Sequence, residues 1–108
     1  MIRVVFTCGD INGIGPEISI KTFSKIFQKK NANQIIFICP KNVFDFYYKV
    51  TMSIFQFQVS TNNSFSKSML NLIPLPNAKM ELGKPTLASG KVSFDSINKS
   101  LNLIQTNK

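Results

Sequence analysis

The sequence predicts an α/β protein with a layered, mostly parallel sheet and flanking helices. Continuous apolar runs at residues 2–7 and 35–38 are typical of strands that are buried on both faces. Segments with helical spacing alternate with these runs. A glycine-rich turn separates the first run from the first helical segment, which is where α/β proteins hold anionic ligands. With 108 residues, 44% of them apolar, the chain suffices for one small domain with a core.

The first half of the chain predicts a strand, a helix and a second strand. Residues 2–7 are β-branched and apolar, as expected for a covered strand. A helix is predicted over residues 16–28, because a proline suits the first turn, where its missing N–H is not needed. Its core-facing side chains are Ile20, Phe23, Ile26 and Phe27. Residues 34–39 form the second strand, which Pro40 ends, so the three elements make a βαβ unit.

The middle of the chain predicts another helix and two further strands. Residues 41–50 have helical spacing, and we interpret their aromatic group as a core face rather than a stacking platform. That group consists of Val43, Phe44, Tyr47, Tyr48 and Val50. Residues 54–59 alternate in part and predict a strand with one solvent-facing side. A polar loop at 60–68 separates it from a buried strand at 70–75.

The last predicted element is a helix over residues 90–105, after an irregular connection at 77–89. Ser89 is its expected N-cap. Four apolar residues at three- and four-residue steps form an amphipathic stripe: Phe94, Ile97, Leu101 and Ile104. No strand follows, so we expect a single partial domain over 1–108, cut from a larger one. An apolar face left uncovered in this way predicts an isolated chain that associates or is only marginally folded.

The net charge of +8 comes from 13 basic residues against 5 acidic ones. The lysines are scattered, and the densest group, Lys25, Lys29 and Lys30, lies at a predicted helix end, where cations complement the dipole. We therefore interpret the charge as a solvated surface and expect no nucleic-acid or membrane partner. No apolar run approaches the length that spans a bilayer. Histidine is absent, which removes the commonest general base and metal ligand.

Cys8 and Cys39 stand at the ends of two predicted strands. Neither belongs to a CxxC pair, and the chain has no cysteine-rich framework. We expect buried, reduced thiols in a cytoplasmic protein. If the two strands are parallel neighbours, the thiols lie close together.

The glycine turn at residues 9–17 departs from the two common phosphate-binding motifs. A P-loop needs a Lys-Ser or Lys-Thr after its last glycine, and none is present. Gly13 and Gly15 match the first two glycines of the dinucleotide fingerprint, but Ile18 stands where the third is needed.

The complete string Gly-Asp-x-x-Gly-Ile-Gly-Pro-Glu at 9–17, after a strand and before a helix, is more specific. It resembles the opening of the 4-hydroxythreonine-4-phosphate dehydrogenase family, and a related string opens the isopropylmalate and isocitrate dehydrogenases. A second segment supports the resemblance: Gly83-Lys84-Pro85-Thr86 followed by Ser89-Gly90 is similar to a segment that the family carries at a similar distance from its start.

The resemblance implies an isocitrate/isopropylmalate dehydrogenase-like fold, here truncated to about the first third of the enzyme. It implies NAD- or NADP-dependent oxidation of the secondary alcohol of a small phosphorylated substrate, followed by decarboxylation, in pyridoxal 5′-phosphate biosynthesis. A divalent metal (zinc, magnesium or cobalt) assists that reaction, and its histidine ligands lie outside this chain. The full-length family enzyme is expected to be a homodimer. This chain alone is expected to be inactive, with no catalytic or metal-binding residue.

The resemblance places the turn beside the nicotinamide cofactor, with Asp10, Gly13, Ile14 and Gly15 as cofactor-binding candidates. For Asp10, contact with the cofactor and a structural role stay equally open. For Glu17, a helix cap or a salt bridge is favoured over a ligand contact.

Three positions differ from the family pattern, and three more have two interpretations. Ile11 and Asn12 replace a usual Pro-Ala pair, which predicts a looser turn, and Cys8 replaces a frequent proline or methionine. The residues of the second segment that follow its proline (Thr86, Ser89 and Gly90) are interpreted mainly as a helix start. Their alternative role is to line the cleft or the dimer interface.

Two other classes of function remain as alternatives. The turn and the helix start could serve a free-standing module that binds an anionic ligand or nucleotide. The charge of +8 could serve nucleic-acid binding, but the scattered lysines and the missing recognition motif argue against it.

Overall fold

The computed structural model describes residues 3–29, 33–61 and 64–106. These residues form a four-stranded sheet in which all neighbours are parallel, in the order β1-β2-β4-β3. The strands are β1 (Arg3–Thr7), β2 (Gln34–Pro40), β3 (Phe57–Val59) and β4 (Leu70–Leu75). The helices are α1 (Gly15–Ile26), α2 (Lys41–Val50) and α3 (Leu87–Thr106). The predicted α/β class, with its parallel sheet and flanking helices, is confirmed.

Most predicted elements occur within a few residues of their expected bounds. The α2 and β4 ranges are as predicted, and β2 extends one residue further, to Pro40. The predicted first residue of β1, Ile2, lies outside the described residues. The strand predicted at 54–59 is only three residues long, since Ile54 is almost fully exposed and precedes the paired segment.

The larger core cluster lies between the sheet and the pair α1 and α2. Phe23 of α1 is its centre, with ring centroids 5.1 Å from Phe6, 5.0 Å from Phe37 and 6.3 Å from Phe55. Such edge-to-face pairs are favourable beyond the area they bury. The predicted core face of α1 is confirmed, because Ile20 and Phe23 are buried and its other two members pack against the cluster.

The aromatic group of α2 is also a core face, as predicted. Val43, Phe44 and Tyr47 are buried, and Tyr48 packs beside them and donates a hydrogen bond to the Phe55 carbonyl at 2.6 Å. The assignment of Val50 to this face was wrong, since its side chain is exposed at the last turn.

A smaller cluster covers the opposite face of the sheet, where alternate residues of β2 point. Ile36, Ile38 and Ile73 pack there against Leu103 of α3. The amphipathic stripe of α3 does not face this cluster. The four stripe residues are 48–64% exposed, whereas Ser89, Ser96 and Leu103 are the buried side chains of this helix. The stripe marks an apolar face correctly, but α3 approaches the sheet with its serine-containing side.

No helix among the described ranges is both long enough and apolar enough to cross a membrane.

Candidate functional site

The glycine turn connects the carboxyl end of β1 to α1 at one edge of the sheet. The Cys8 N–H extends the strand pairing by donating to the Ile38 carbonyl at 3.2 Å. The Gly13 N–H then closes the turn by donating to the Asp10 carbonyl at 3.0 Å. One oxygen of the Asp10 carboxylate accepts the Asn12 N–H at 2.9 Å, an Asx-type turn. Asp10 therefore has a structural role in the turn while its side chain remains exposed.

The three glycines of the turn have different surroundings. Gly9 has a φ of +66°, in the left-handed region where side chains are strained. A Cβ on Gly15 would lie 2.9 Å from the Cys8 carbonyl oxygen, so glycine is needed there for α1 to start close to β1. A Cβ on Gly13 would come no closer than 3.5 Å to its nearest neighbour, the Asp10 carbonyl oxygen. Packing against the Cys8 carbonyl therefore explains why residue 15 is glycine. Packing does not explain why residue 13 is glycine.

Asn12 joins the turn to the second segment that the sequence singled out. Its Oδ1 accepts the Glu81 N–H at 2.6 Å, and its Nδ2 donates to the Lys84 carbonyl at 2.8 Å. Its own carbonyl accepts the Gly83 N–H at 2.7 Å. Asn12 and Ile11 are both buried. These contacts argue against the looser turn expected from the Ile11-Asn12 replacement, because both residues anchor the loop.

The outer surface of the turn is formed by the start of α1. Ile14 occupies the N-cap position with its side chain 73% exposed, and it makes no side-chain capping bond. Pro16 at the first turn is buried. The four cofactor-binding candidates thus lie together, with Asp10 and Ile14 exposed and Gly13 and Gly15 half-buried. The positive end of α1 is open beside them, and it favours anions.

Glu17 makes a salt bridge with Lys21, Oε2 to Nζ at 3.0 Å, one helical turn further along α1. The predicted salt bridge is confirmed. Both side chains are well exposed, so the pair adds little to stability.

The second segment begins α3 with a reciprocal capping arrangement. The Thr86 Oγ1 accepts the Ser89 N–H at 3.0 Å, and the Ser89 Oγ accepts the Thr86 N–H at 3.0 Å. The interpretation of this segment as a helix start is confirmed. The N-cap is Thr86 rather than Ser89, because helix residues begin at Leu87 and Ser89 takes the third helical position.

Cys8 and Cys39 are buried, free thiols at the same end of the neighbouring strands β1 and β2. The Cys39 thiol forms a hydrogen bond with the Cys8 sulfur, which lowers the pKa of Cys8, and Ser96 adds a second bond. Burial and the neighbouring Cys8 raise the pKa of Cys39. Cys8 is therefore the more acidic thiol of the pair. Sequence alone indicated burial, and strand pairing decided the contact.

Within the ranges that the structure describes, no three His, Cys, Asp or Glu side chains come together in a way that could hold a metal ion. The described residues thus do not provide the donor set of the metal that the family resemblance implies.

The fold defines the class first: an α/β domain with a parallel sheet, of the kind found in solved dehydrogenase structures. A crystal structure of 4-hydroxythreonine-4-phosphate dehydrogenase from Klebsiella pneumoniae matches 98% of this chain with a TM-score of 0.74 at 22% identity. The enzyme of that name from Burkholderia phymatum matches 97% of this chain with a TM-score of 0.75 at 13% identity. The chain spans 34% and 33% of those two chains.

A curated relative gives the more particular comparison. The 4-hydroxythreonine-4-phosphate dehydrogenase of Bacteroides thetaiotaomicron is 30% identical over 105 residues, which is 93% of this chain and 28% of the relative. No protein-family model matches the chain. The resemblance predicted from the two motifs is confirmed, since the relative and the solved structures all carry this enzyme's name. The chain is similar to about a third of such a dehydrogenase.

Proposed function

We propose that this chain is part of a 4-hydroxythreonine-4-phosphate dehydrogenase and supplies one wall of its nicotinamide cofactor cleft. The observation that carries the proposal is the turn itself. It combines a glycine at position 13 that packing does not require with a helix start that has no side-chain cap, in a chain that is 30% identical to a dehydrogenase of this name. The reaction proposed for the complete enzyme is oxidation of the substrate's secondary alcohol followed by decarboxylation, in pyridoxal 5′-phosphate biosynthesis.

The turn offers suitable surfaces to the phosphates and to a flat ring of a nicotinamide dinucleotide. Gly13 has no side chain, so a ligand can approach the backbone closely. The α1 start presents free N–H groups and the positive end of a dipole to a phosphate. Ile14 presents an exposed apolar side chain against which a flat ring can pack. When bound, NAD or NADP accepts the hydride from the substrate. Asp10 shapes this surface through its bond to the Asn12 N–H.

The proposal assigns no catalytic residue and no metal ligand to this chain. The described residues hold no three-ligand cluster, and the sequence contains no histidine. The divalent metal and the contacts to the phosphorylated substrate belong to the rest of the enzyme, so residues 1–108 alone are inactive. We propose that the complete enzyme is a cytoplasmic homodimer. Two free thiols in contact agree with a reducing compartment.

A chimeric enzyme tests this proposal. This chain is joined to the part of the Bacteroides relative that lies beyond the aligned segment, and NAD(P) reduction with 4-phosphohydroxythreonine is measured. We expect turnover by the chimera and none by the chain alone. Gly13→Val should raise the KM for NAD(P) at least about tenfold, since a 1.4 kcal/mol loss of binding is tenfold. Thr22→Val is the control, because it places the same side chain on α1 two turns after the helix start, away from the turn.

Two outcomes would contradict the proposal. One is a folded chimera whose KM for NAD(P) responds equally to Gly13→Val and Thr22→Val. The other is micromolar nucleotide binding by the isolated chain, lost in Gly13→Val, combined with an inactive chimera. That second outcome would favour the free-standing binding module.

A further inference from the structure

The outer face of α3 carries a regular apolar seam whose residues are at least 48% exposed and belong to neither core cluster. Leu87 is 97% exposed, and the four residues of the predicted stripe follow it. The seam is defined here as Leu87, Phe94, Ile97, Leu101 and Ile104. Its intervals, together with Gly90, alternate between three and four residues over the whole helix. This is the a and d pattern of a helix that packs against another helix.

The same helix is already attached to the sheet by a different side. Ser89, Ser96 and Leu103 are spaced by seven residues and are all buried. Each of them follows a seam residue (Leu87, Phe94 or Leu101) by two positions. Two residues turn an α-helix by about 200°, so the three buried residues lie on a separate face of the helix. The structure therefore gives α3 two packing faces, of which the described residues cover one.

Charge argues against a second copy of this chain as the occupant of the seam. Two copies would each bring a net charge of +8 to the contact, and self-repulsion opposes that. Lysines on this helix, Lys91 and Lys99, are exposed, so a partner with acidic residues beside its apolar stripe fits better.

The solved dehydrogenase structures indicate a partner large enough to cover the seam. Solved dehydrogenases superpose on nearly all of this chain, yet it spans only 33–34% of theirs. Two thirds of that fold thus has no counterpart among these residues. We infer that the seam of α3 is the docking surface for the remaining two thirds of the dehydrogenase fold, which contributes an apolar helix stripe. This inference rests on the proposed function and names the partner that completes it.

The test uses two separate polypeptides. This chain is co-expressed with the part of the Bacteroides relative that its alignment does not cover, and the pair is purified through a tag on the second polypeptide. Affinity is then measured by titration, and NAD(P) reduction is assayed on the same sample. The relative's own aligned segment serves as the positive control for pairing.

Seam variants decide the outcome. Leu101→Asp should raise the Kd of the pair at least about 30-fold, as expected for a central apolar contact. Asn98→Ala changes an exposed, uncharged residue of the same helix outside the seam, and it should change the Kd less than about threefold. Phe94→Ser with Leu101→Ser provides a milder second variant, and circular dichroism verifies that each variant is folded.

The possible results distinguish the docking surface from the proposed dehydrogenase function. Seam-dependent pairing without turnover would support the docking surface and contradict the proposed function. Turnover that is insensitive to the seam variants would support the function and overturn the docking surface. The docking surface is also overturned if the relative's own segment pairs and this chain does not. Self-association through the seam with no binding to the second polypeptide would instead identify a second copy as the occupant.

Discussion

Gly15 and Gly13 are two residues apart, but they meet different constraints. At Gly15 an added Cβ would press on the Cys8 carbonyl oxygen at 2.9 Å, and backbone must shift to relieve it. At Gly13 the nearest atom would be 3.5 Å away, which is ordinary contact. The sequence motif presents both as glycines of one turn, and only the packing separates a structural role from a possible ligand-facing one.

We predict that Gly15→Ala lowers the free energy of unfolding by about 1–3 kcal/mol, the usual cost of overpacking. Gly13→Ala should change it by less than about 1 kcal/mol. Urea unfolding followed by circular dichroism measures both. Equal losses in the two variants would show that the turn is not packed as described.

The Cys8–Cys39 pair predicts a particular dependence of stability on pH. In the unfolded chain both thiols ionise near pH 8.5. In the folded protein Cys8 has a lowered pKa, because the Cys39 thiol bonds its sulfur, and Cys39 has a raised pKa through burial. Stability should therefore rise with pH between the folded pKa of Cys8 and about 8.5. Above that it should fall, because the unfolded chain releases two protons and the folded protein one.

Urea unfolding between pH 7 and 9.5 checks this dependence, with slopes of at most about 1.4 kcal/mol per pH unit. The double variant Cys8→Ser, Cys39→Ser is the control, and its stability should not show the maximum. A wild-type curve that matches the control curve would contradict the pairing.

At the scale of elements, the orientation of α3 is the main finding. Leu101 and Leu103 are two residues apart on the same helix, yet they are 51% and 6% exposed. Leu103 packs with Ile36, Ile38 and Ile73 on the sheet, and Leu101 belongs to the outer seam. The face of α3 that packs toward the sheet therefore consists of Leu103 and the small residues Ser89 and Ser96.

This orientation predicts unequal effects of truncation. Leu103→Ala should cost about 2–4 kcal/mol of unfolding free energy, as for other buried leucines. Leu101→Ala should stay within about 0.5 kcal/mol, because it removes little buried contact. Chemical denaturation at low protein concentration makes the comparison. A larger loss for Leu101 would mean that the stripe faces the sheet after all.

At the scale of the whole molecule, the net charge of +8 acts against compactness. The sequence contains thirteen cationic side chains and five anionic ones. The two salt bridges among the described residues are exposed pairs, each within a single helix. Such pairs stabilise little, so most of the charge repels itself across the surface.

We therefore expect salt to stabilise the isolated chain. Raising NaCl from about 0.02 to 0.3 M shortens the screening length several-fold and should raise Tm by a few degrees. Thermal unfolding at two protein concentrations separates screening from association through the seam, since only the second depends on concentration. A Tm that falls with salt at both concentrations would count against self-repulsion.

The sequence alone determined the elements and the turn. Local conformational preferences can be read from the apolar runs, from the helical spacing and from Pro16 and Pro40. Five elements therefore occur near their predicted bounds: β1, β2, α1, α2 and β4. The motif at 9–17 indicated the dehydrogenase resemblance, because its glycines and acids are read directly from the residues.

The tertiary structure alone decided the contacts between distant residues. It joined Asn12 to residues 81–84, brought Cys8 beside Cys39, and turned the stripe of α3 outward. Spacing along a chain shows which side chains share a face, but it contains no record of the neighbour that covers the face. That neighbour depends on packing between segments that are far apart in sequence.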